Sequence, residues 1–234
     1  MKVLVTGATG FLGEYIVKEL SEKGYKVIAF GRNEEKGRDL SRRYIHTSFI
    51  KGNFENIDDL KNIDENIDYI VHAGGLSTVW GKWKDFYNSN VKGTENIIRF
   101  CKESDIKKLV FISSPSIYAK PKDGFLIKEE EAPSENRLNF YIRSKILAES
   151  RIKEISNMPW VIIRPRGLFG VGDTSIIPRL LRLNSKIGIP LFSEGSQMID
   201  ITCVENVALS IRLALEKKES EGNIKKKPND KLMQ

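Results

Sequence analysis

The sequence predicts an α/β fold with one doubly wound parallel sheet, because apolar segments of strand length alternate with longer segments of helical periodicity. The strand-like segments are almost continuously hydrophobic, which is typical of strands that helices cover on both faces. The predicted strands comprise residues 2–6, 26–30, 47–51, 67–73, 107–114 and 160–164. The predicted helices comprise residues 11–23, 34–44, 57–63, 83–104 and 140–155.

The regular alternation ends near Gly170, and this point sets the predicted domain organisation. Residues 1–170 are expected to form the main domain, and residues 171–218 a partial lobe interleaved with its core. In that lobe we predict helices at 175–185 and 204–218, a short strand near Pro190 and another strand at 198–203. Residues 219–234 are polar and Lys-rich and are predicted to form a frayed tail.

The composition indicates one soluble core. A chain of 234 residues with 40% hydrophobic content is long enough to bury one sizeable core. The net charge of +7 comes from 38 basic and 31 acidic side chains scattered along the chain, which favours a solvated surface over a nucleic-acid interface. The first apolar segment is too short for a signal peptide or a membrane span. Cys101 and Cys203 lie in apolar runs, as unpaired thiols of a reducing compartment do. These features predict a cytoplasmic protein without nucleic-acid or membrane partners.

A glycine-rich turn connects the first predicted strand to the first predicted helix, with the sequence TGATGFLG at 6–13. In it Gly7 permits a tight turn, Gly10 lets a pyrophosphate approach the backbone, and Gly13 lets the helix pack closely on the strand. Free amides at the start of the helix would hold the phosphates. The turn therefore predicts a dinucleotide site of the Rossmann type, and the alternative is a tight turn that binds nothing.

The end of the second predicted strand indicates which dinucleotide is bound. A site for NAD usually places a carboxylate there to bind the ribose hydroxyls, whereas this strand runs into Gly31-Arg32-Asn33. A guanidinium at Arg32 would pair with the 2′-phosphate of NADP, which a carboxylate would repel. We therefore expect NADP, with two alternatives: a site that also accepts NAD, or a merely solvated Arg32.

Two groups of polar residues, Tyr141 with Lys145 and Ser113 with Ser114, suggest acid–base chemistry. Tyr141 and Lys145 lie four residues apart on a predicted helix and so share one face. A phenol with a pKa of about 10 needs a nearby positive charge to act as a base at neutral pH, and a lysine supplies it. Ser113 and Ser114 end the fifth predicted strand, at the sheet edge where open parallel sheets bind ligands. By itself a Tyr-x-x-x-Lys spacing is often an ordinary surface pair.

With these motifs the sequence resembles an extended short-chain dehydrogenase/reductase of the NAD-dependent epimerase/dehydratase and 3-beta-hydroxysteroid dehydrogenase group. The resemblance spans most of residues 1–210. The matching motifs are TGATGFLG at 6–13, VHAGG at 71–75, NVKGT at 90–94, FISS at 111–114 with Tyr118, YIRSK at 141–145 and RPRGLFG at 164–170.

The resemblance implies roles for matching residues. Ser114 matches the catalytic serine, Tyr141 the proton donor or acceptor, and Lys145 the residue that tunes it and binds the nicotinamide ribose. Asn53-Phe54 stands where the family often has an adenine-contacting Asp, and Asn90 is either near the cofactor or a helix cap or core hydrogen-bonder. The expected cofactor-binding set comprises Gly7, Thr9, Gly10, Phe11, Leu12, Gly13, Arg32, Asn53, Phe54, Ala73, Gly74, Gly75, Asn90, Tyr141, Lys145, Pro165, Gly167 and Leu168.

Departures from the family pattern narrow the expected reaction. Dehydratases of the family carry an Asp-Glu pair after the active-site hydroxyl, and Pro115-Ser116 stands here instead, so the acid and base for water loss are missing. Sugar-nucleotide epimerases typically show an Asn where this chain has Gly167. We therefore expect hydride transfer between NADP(H) and an alcohol or carbonyl substrate. Trp80 either lines an apolar substrate pocket or is, like Trp83, an ordinary packed aromatic.

Three alternatives remain at this point: a nucleotide-sugar epimerase of the same family, a non-catalytic NAD(P)-binding protein, and a truncated chain. Relatives usually continue past Gly222 with the rest of a substrate lobe. The loop predicted at 115–139 and the region after Gly170 would choose the small-molecule substrate, which is not identifiable from the sequence. His46 and His72 lack partners at metal spacing, so no metal is expected. Relatives often pair through two long helices, which makes a homodimer reasonable.

Overall fold

The structure, a computed structural model, describes residues 1–63, 66–78, 80–121, 124, 126–189, 200–217 and 223–225. Its centre is a parallel sheet, and the predicted doubly wound α/β fold is confirmed. The sheet has the strand order β3-β2-β1-β4-β5-β6-β9. These strands are β1 Lys2–Thr6, β2 Lys26–Gly31, β3 Thr47–Lys51, β4 Tyr69–His72, β5 Lys108–Ile112, β6 Trp160–Ile163 and β9 Asn223–Lys225. A separate parallel pair consists of β7 Gly167–Phe169 and β8 Ile201–Cys203.

Helices connect the strands and cover both faces of the sheet. The α-helices are α1 Phe11–Glu22, α2 Glu34–Arg43, α3 Ile57–Lys61, α4 Trp83–Phe86, α5 Gly93–Glu103, α6 Phe140–Lys153, α7 Ile177–Ile187 and α8 Val204–Glu216. A π-helix at Tyr87–Lys92 joins α4 to α5, and the 115–139 segment contains 3₁₀ helices at Pro115–Tyr118 and Glu129–Glu131. In the described ranges, no helix combines the length and the apolar character needed to cross a bilayer.

Alternating side chains of the strands build a core on each face of the sheet. Val3, Val5 and Val110 pack with α1 and α8 on one face. Leu4 and Phe111 pack with α5 and α6 on the other. Because both faces are buried, the strands are hydrophobic throughout, and this is the pattern that predicted the parallel sheet.

The fourth and fifth strands are shorter than predicted. β4 begins at Tyr69 rather than residue 67, and just before it the Asp68 carboxylate accepts a 2.8 Å hydrogen bond from the backbone N–H of Lys2. β5 ends at Ile112 rather than residue 114, because Ser114 caps the 3₁₀ helix that follows it. Both differences lie at strand ends, and after β5 the side-chain cap of Ser114 takes the place of the strand ladder.

Three predictions near the helices and the tail need correction. The single helix predicted at 83–104 contains the π-helix, and α7 lies two residues later than predicted, with Pro178 in its first turn. The predicted tail 219–234 includes strand β9, which pairs with β6 from Val161↔Asn223 to Ile163↔Lys225. Pairing uses backbone groups alone, so a polar sequence can cover an otherwise open edge strand. The strand predicted near Pro190 and residues 198–199 lie outside the described residues.

Candidate active site

The turn between β1 and α1 has the geometry that its glycines predict. Gly7 has φ +70°, and a Cβ there would lie 2.7 Å from the Cα of Gly74. A Cβ on Gly13 would lie 2.1 Å from the carbonyl oxygen of Gly7. Gly10 is the N-cap residue of α1 and provides no side-chain cap, so the first amides of the helix stay available to a ligand. The turn thus needs glycine at these positions for close backbone contacts.

A groove of about 520 Å³ opens beside this turn at the carboxyl ends of β1, β2 and β4. Eight residues of the predicted cofactor set line it: Gly7, Thr9, Gly10, Arg32, Phe54, Ala73, Gly74 and Gly75. Lining residues that the sequence reasoning did not name include Glu55, Asp85, Asn88 and Ser89. Arg32 is exposed, and its guanidinium forms no ion pair with any residue in the described part of the chain.

The other predicted cofactor residues lie around the groove rather than in its wall. Phe11 contacts Tyr15 edge-to-face, and Leu12 packs on the core, so each would offer a ligand its backbone amide. Asn53 turns its side chain toward its own loop, where Oδ1 accepts a 3.1 Å hydrogen bond from the N–H of Glu55. Pro165, Gly167 and Leu168 follow β6 at the same edge of the sheet, and Leu168 packs against the core.

Lys145 lies buried next to the groove. Its Nζ donates a 2.9 Å hydrogen bond to the carbonyl oxygen of Ile112, at the end of β5, and lies 4.9 Å from the centre of the Phe111 ring. A Cβ on Gly75, which lines the groove, would lie 3.5 Å from that Nζ. Burial lowers the pKa of Lys145 to about 8, against an opposing effect of Glu149. The ammonium is therefore held at the inner end of the groove.

Tyr141 lies one helical turn before Lys145, in the first turn of α6, which Asn139 caps by accepting a hydrogen bond from Ile142. Tyr141 is half-buried, and its ring centre lies 6.5 Å from that of Phe86. Its hydroxyl has no hydrogen-bond partner among the described residues. Helical spacing thus places the phenol and the ammonium on one face of α6.

The two serines after β5 have different environments. Ser114 is buried, and its Oγ accepts a hydrogen bond from the N–H of Ser116 and lies 3.1 Å from the Oγ of Ser116. Ser113 is buried too, but its Oγ has no hydrogen-bond partner within the described ranges. The backbone N–H of Ser113 donates to Ile163, which keeps both serines beside the end of β6. Two hydroxyls therefore stand at this strand end, and the sequence motif identified only Ser114.

Asn90 lies buried in the π-helix and clamps the loop after β4. Its side-chain Oδ1 accepts from the N–H of Leu76 at 2.7 Å, and its Nδ2 donates to the carbonyl of Leu76 and to the Oγ of Ser144. Ser144 in turn donates to the carbonyl of Tyr141. Asn90 is therefore a core hydrogen-bonder, and the loop that it holds lines the groove, while its position near the cofactor stays a prediction.

His72 belongs to a buried chain of hydrogen bonds that the sequence did not reveal. Thr94 Oγ1 donates to the carbonyl of Asn90, so it must accept the 3.2 Å bond from His72 Nε2. Thr6 Oγ1 accepts from the N–H of Gly74 and donates to His72 Nδ1 at 2.7 Å. The imidazole is thus neutral with its proton on Nε2, and burial together with Lys145 lowers its pKa to about 3.

A buried ion pair lies behind Lys145. Arg164, with no exposed surface, forms a two-bond contact with the carboxylate of Glu149, and Glu149 follows Lys145 by one helical turn. Arg164 also donates to the hydroxyl of Tyr118 and, at 3.2 Å, to the carbonyl of Glu129. Sequence reasoning used Arg164 only as part of a motif. Among the described residues, no group of three or more acidic, His or Cys side chains could hold a metal ion.

The site therefore combines a glycine-lined groove with a tyrosine, a lysine and a serine at the carboxyl ends of parallel strands. A family model described as the NAD dependent epimerase/dehydratase family matches residues 3–225. The chain belongs to the NAD dependent epimerase/dehydratase family. The resemblance inferred from the motifs is thereby confirmed.

Relatives within the family include reductases and dehydrogenases. The chain is 31% identical over 222 residues to a 2-alkyl-3-oxoalkanoate reductase of Stenotrophomonas maltophilia (strain K279a), covering 92% of this chain and 66% of the relative. It is 29% identical over 220 residues to the decarboxylating sterol-4-alpha-carboxylate 3-dehydrogenase of Mus musculus, covering 92% of this chain and 59% of the relative. The chain thus spans less than two thirds of the length of these family members.

A solved structure has the same fold. The UDP-glucuronic acid 4-epimerase of Bacillus cereus, in complex with UDP-glucuronic acid and NAD, superposes with a TM-score of 0.81 at 23% identity. The match covers 97% of this chain and 77% of the epimerase chain. At this identity the likeness concerns the fold of the family.

Proposed function

We propose that this family member is an oxidoreductase that moves a hydride between NADP(H) and an alcohol or carbonyl carbon. The observation that carries the proposal is the position of Lys145. Its ammonium lies at the inner end of a groove lined by glycines, one helical turn from Tyr141 and next to the serines that follow β5. A site that binds a dinucleotide and moves a proton needs this combination.

The groove fits a nicotinamide dinucleotide. A Cβ at Gly7 or Gly13 would clash with backbone atoms, and Gly10 carries no side chain, so phosphates could approach the first amides of α1 closely. Arg32 would pair with the 2′-phosphate of NADP, since its guanidinium has no competing partner among the described residues. When bound, the nicotinamide supplies or accepts the hydride. The other cofactor residues, including Asn53, Pro165, Gly167 and Leu168, would act mainly through their backbone.

The proton chemistry belongs to Tyr141 and Lys145. During reduction the Tyr141 hydroxyl gives its proton to the substrate oxygen, and during oxidation the phenolate takes it back. The Lys145 ammonium stabilises the phenolate by its charge, and the apolar surroundings strengthen this interaction. The carbonyl of Ile112 fixes the position of the ammonium.

A serine hydroxyl orients the substrate oxygen. Ser114 matches the family's catalytic serine, and it would donate to that oxygen once its proton turns away from Ser116. Ser113 has a buried hydroxyl without a partner among the described residues at the same strand end, so it is the second candidate for this contact. Comparing Ser114→Ala with Ser113→Ala would show which hydroxyl lowers kcat more when removed.

We also propose a substrate class. The names of both curated relatives place a carboxylate on the carbon next to the one that is oxidised or reduced. Arg166 follows β6, and its buried Nε has no hydrogen bond in the described part of the chain but forms a 3.7 Å ion pair with the carboxylate of Asp200. Such a guanidinium suits a substrate carboxylate. A 3-hydroxy acid should therefore be oxidised better than its methyl ester, and Arg166→Gln should abolish this preference while Arg42→Gln preserves it.

Two other reactions of the family, dehydration and sugar-nucleotide epimerisation, are less favoured. Pro115 and Ser116 begin the 3₁₀ helix where a dehydratase would need its Asp-Glu pair. Gly167, which begins β7, stands where sugar-nucleotide epimerases typically have an Asn, so that contact to a nucleotide diphosphate is missing here. Three further expectations stay predictions. They are the pairing of two copies through the helices at 83–104 and 140–155, the division of the chain at residue 170, and a cytoplasmic location.

The test of the proposed function is Tyr141→Phe, assayed with NADPH on a panel of ketones and 3-oxo esters. We expect kcat/KM to fall by about 10²- to 10⁴-fold, while the NADPH dissociation constant stays unchanged. Tyr25→Phe is the matched control, because Tyr25 precedes β2 at the opposite edge of the sheet and bonds Glu216. Full activity of Tyr141→Phe would refute the mechanism. Tight NADPH binding by the native protein without turnover would favour a non-catalytic binding protein.

A further inference from the structure

The interior behind Lys145 contains charges that the proposed chemistry does not use. Glu149 is 2% exposed and Arg164 has no exposed surface. Two buried charges are costly to desolvate, and replacing such a pair by apolar residues is often neutral or stabilising. Stability alone therefore explains the presence of this buried ion pair poorly. Its position next to Lys145 suggests a functional explanation.

We propose that Glu149 and Arg164 are positioning residues for Lys145: the Glu149 carboxylate, held in the interior by Arg164, keeps the buried Lys145 ammonium charged. The inference rests on the proposed function, because it assigns a task to that ammonium. Glu149 follows Lys145 by four residues on α6, so both side chains lie on the same buried face.

Each contact in this arrangement has a separate role. Burial in apolar surroundings disfavours the charged form of a lysine, and the neutral carbonyl of Ile112 offsets only part of that cost. An opposite charge one helical turn away favours the charged form. Arg164 supplies the counter-charge of Glu149: the 2.7 Å bond from Arg164 Nε, with a second bond from Nη2, satisfies the two oxygens of the carboxylate.

Arg164 has a third guanidinium nitrogen, Nη1, that does not bond Glu149. This nitrogen contacts the segment that follows Ser114. Nη1 donates to the hydroxyl of Tyr118 and to the carbonyl of Glu129. Tyr118 ends the 3₁₀ helix that Ser114 caps, and Glu129 lies in the loop predicted to cover the site. One guanidinium thus connects the helix of Lys145 to the turn of Ser114. A lysine could not bond all these acceptors, because it lacks the planar fork of five donors.

Other ionisable groups around Lys145 do not replace Glu149. On the same face of α6 stands Tyr141, and on β4 stands His72, which burial and the Lys145 charge keep neutral. Lys153 reaches Glu149 from the solvent side at 3.7 Å, with 43% of its side chain exposed. Lys153 offers a matched control, because it shares the carboxylate but lies at the surface, where water screens its charge.

The experiment is a ¹³C NMR titration of lysine Cε in the labelled protein without cofactor, so that it does not depend on turnover. In the native protein Lys145 should titrate with a pKa of about 8, and its signal is identified by its loss in Lys145→Met. In Glu149→Gln we expect the Lys145 pKa to fall by ~1 unit or more, whereas in Lys153→Gln it should stay within ~0.3 unit. A native-like Lys145 pKa in folded Glu149→Gln would overturn the proposal.

Glu149→Gln leaves a buried guanidinium without its counter-charge, so folding is checked by circular dichroism. If that variant unfolds, Glu149→Gln combined with Arg164→Met removes the unpaired charge, and a smaller fall in the Lys145 pKa is expected, because the double variant also lacks the nearby Arg164 cation. The kcat–pH profile with NADPH is the second readout, and its alkaline limb should move to lower pH in Glu149→Gln. A lowered Lys145 pKa in a protein whose native form shows no turnover would support this inference and reject the proposed function alone.

Discussion

The ammonium of Lys145 donates a 2.9 Å hydrogen bond to the carbonyl oxygen of Ile112, and thereby joins helix α6 to the carboxyl end of strand β5. This bond places a positive charge in a site that has little water to solvate it. Burial lowers the pKa of Lys145 to about 8, from an ordinary value of 10.5. The charge therefore destabilises the folded protein while it serves the proposed chemistry.

Lys145→Met should lower activity and raise stability. The unfolded chain binds a proton at Lys145 up to about pH 10.5, and the folded protein only up to about pH 8, so the stability penalty is full below pH 8 and disappears above pH 10.5. At pH 7 we expect the free energy of unfolding of Lys145→Met to exceed that of the native protein by about 2 kcal/mol. This value allows for the Ile112 carbonyl, which loses its hydrogen bond in the variant. Urea unfolding at pH 7 and pH 10.5 checks this, and equal differences at both pH values would contradict it.

Low pH should reduce the stability of the folded protein because of His72. Its pKa of about 3 means that below pH 6.5 the unfolded chain takes up a proton that the folded protein does not, so the free energy of unfolding falls as the pH falls. Between pH 7 and pH 5 His72 should lower the free energy of unfolding by about 2 kcal/mol. In His72→Gln this part of the pH dependence of stability should be absent. ¹⁵N NMR provides a second check: of the two histidines, His72 should remain neutral with its proton on Nε2 at pH 5.

Arg32→Ala should change the choice of cofactor. Losing a charged hydrogen-bond donor to the 2′-phosphate costs about 1.5–3 kcal/mol, so the NADPH dissociation constant should rise about 10- to 100-fold. NADH binding should not change. Fluorescence titrations with both cofactors test this, with Arg42→Ala on the exposed face of α2 as the control. A native preference for NADH that Arg32→Ala leaves intact would refute the NADP assignment.

Gly7 and Gly24 have similar positive φ angles, so alanine substitutions at the two positions separate the cost of the backbone angle from the cost of a steric clash. Gly7 has φ +70°, and a Cβ added there would meet backbone atoms of Gly74 at 2.7 Å, whereas Gly24 has φ +80° and a Cβ there would meet nothing within 4 Å. Gly24→Ala should therefore cost only about 1 kcal/mol for the backbone angle. Gly7→Ala should cost more, by at least ~2 kcal/mol, and weaken NADPH binding, because the turn must separate from Gly74. Similar losses of stability in both variants would contradict this.

Local patterns in the sequence were sufficient for most of the fold. The alternation of apolar strands with amphipathic helices predicted all six strands up to β6 and the helices between them. Where prediction failed, a distant partner decided the outcome: β9 exists because β6 offers an open edge. The π-helix around Asn90 was likewise not predictable, since it depends on the bonds of that side chain to Leu76 and Ser144.

By itself, the sequence determined the glycine turn, the shared helical face of Tyr141 and Lys145, and hence the family, because each rests on residues close in the chain. Only the tertiary structure decided which charges and protons accompany them. The neutral tautomer of His72 depends on Thr94, 22 residues away. The environment of Lys145 depends on Arg164, which a separate strand brings against α6. Burial and hydrogen bonding set these properties, and both arise only when distant segments pack together.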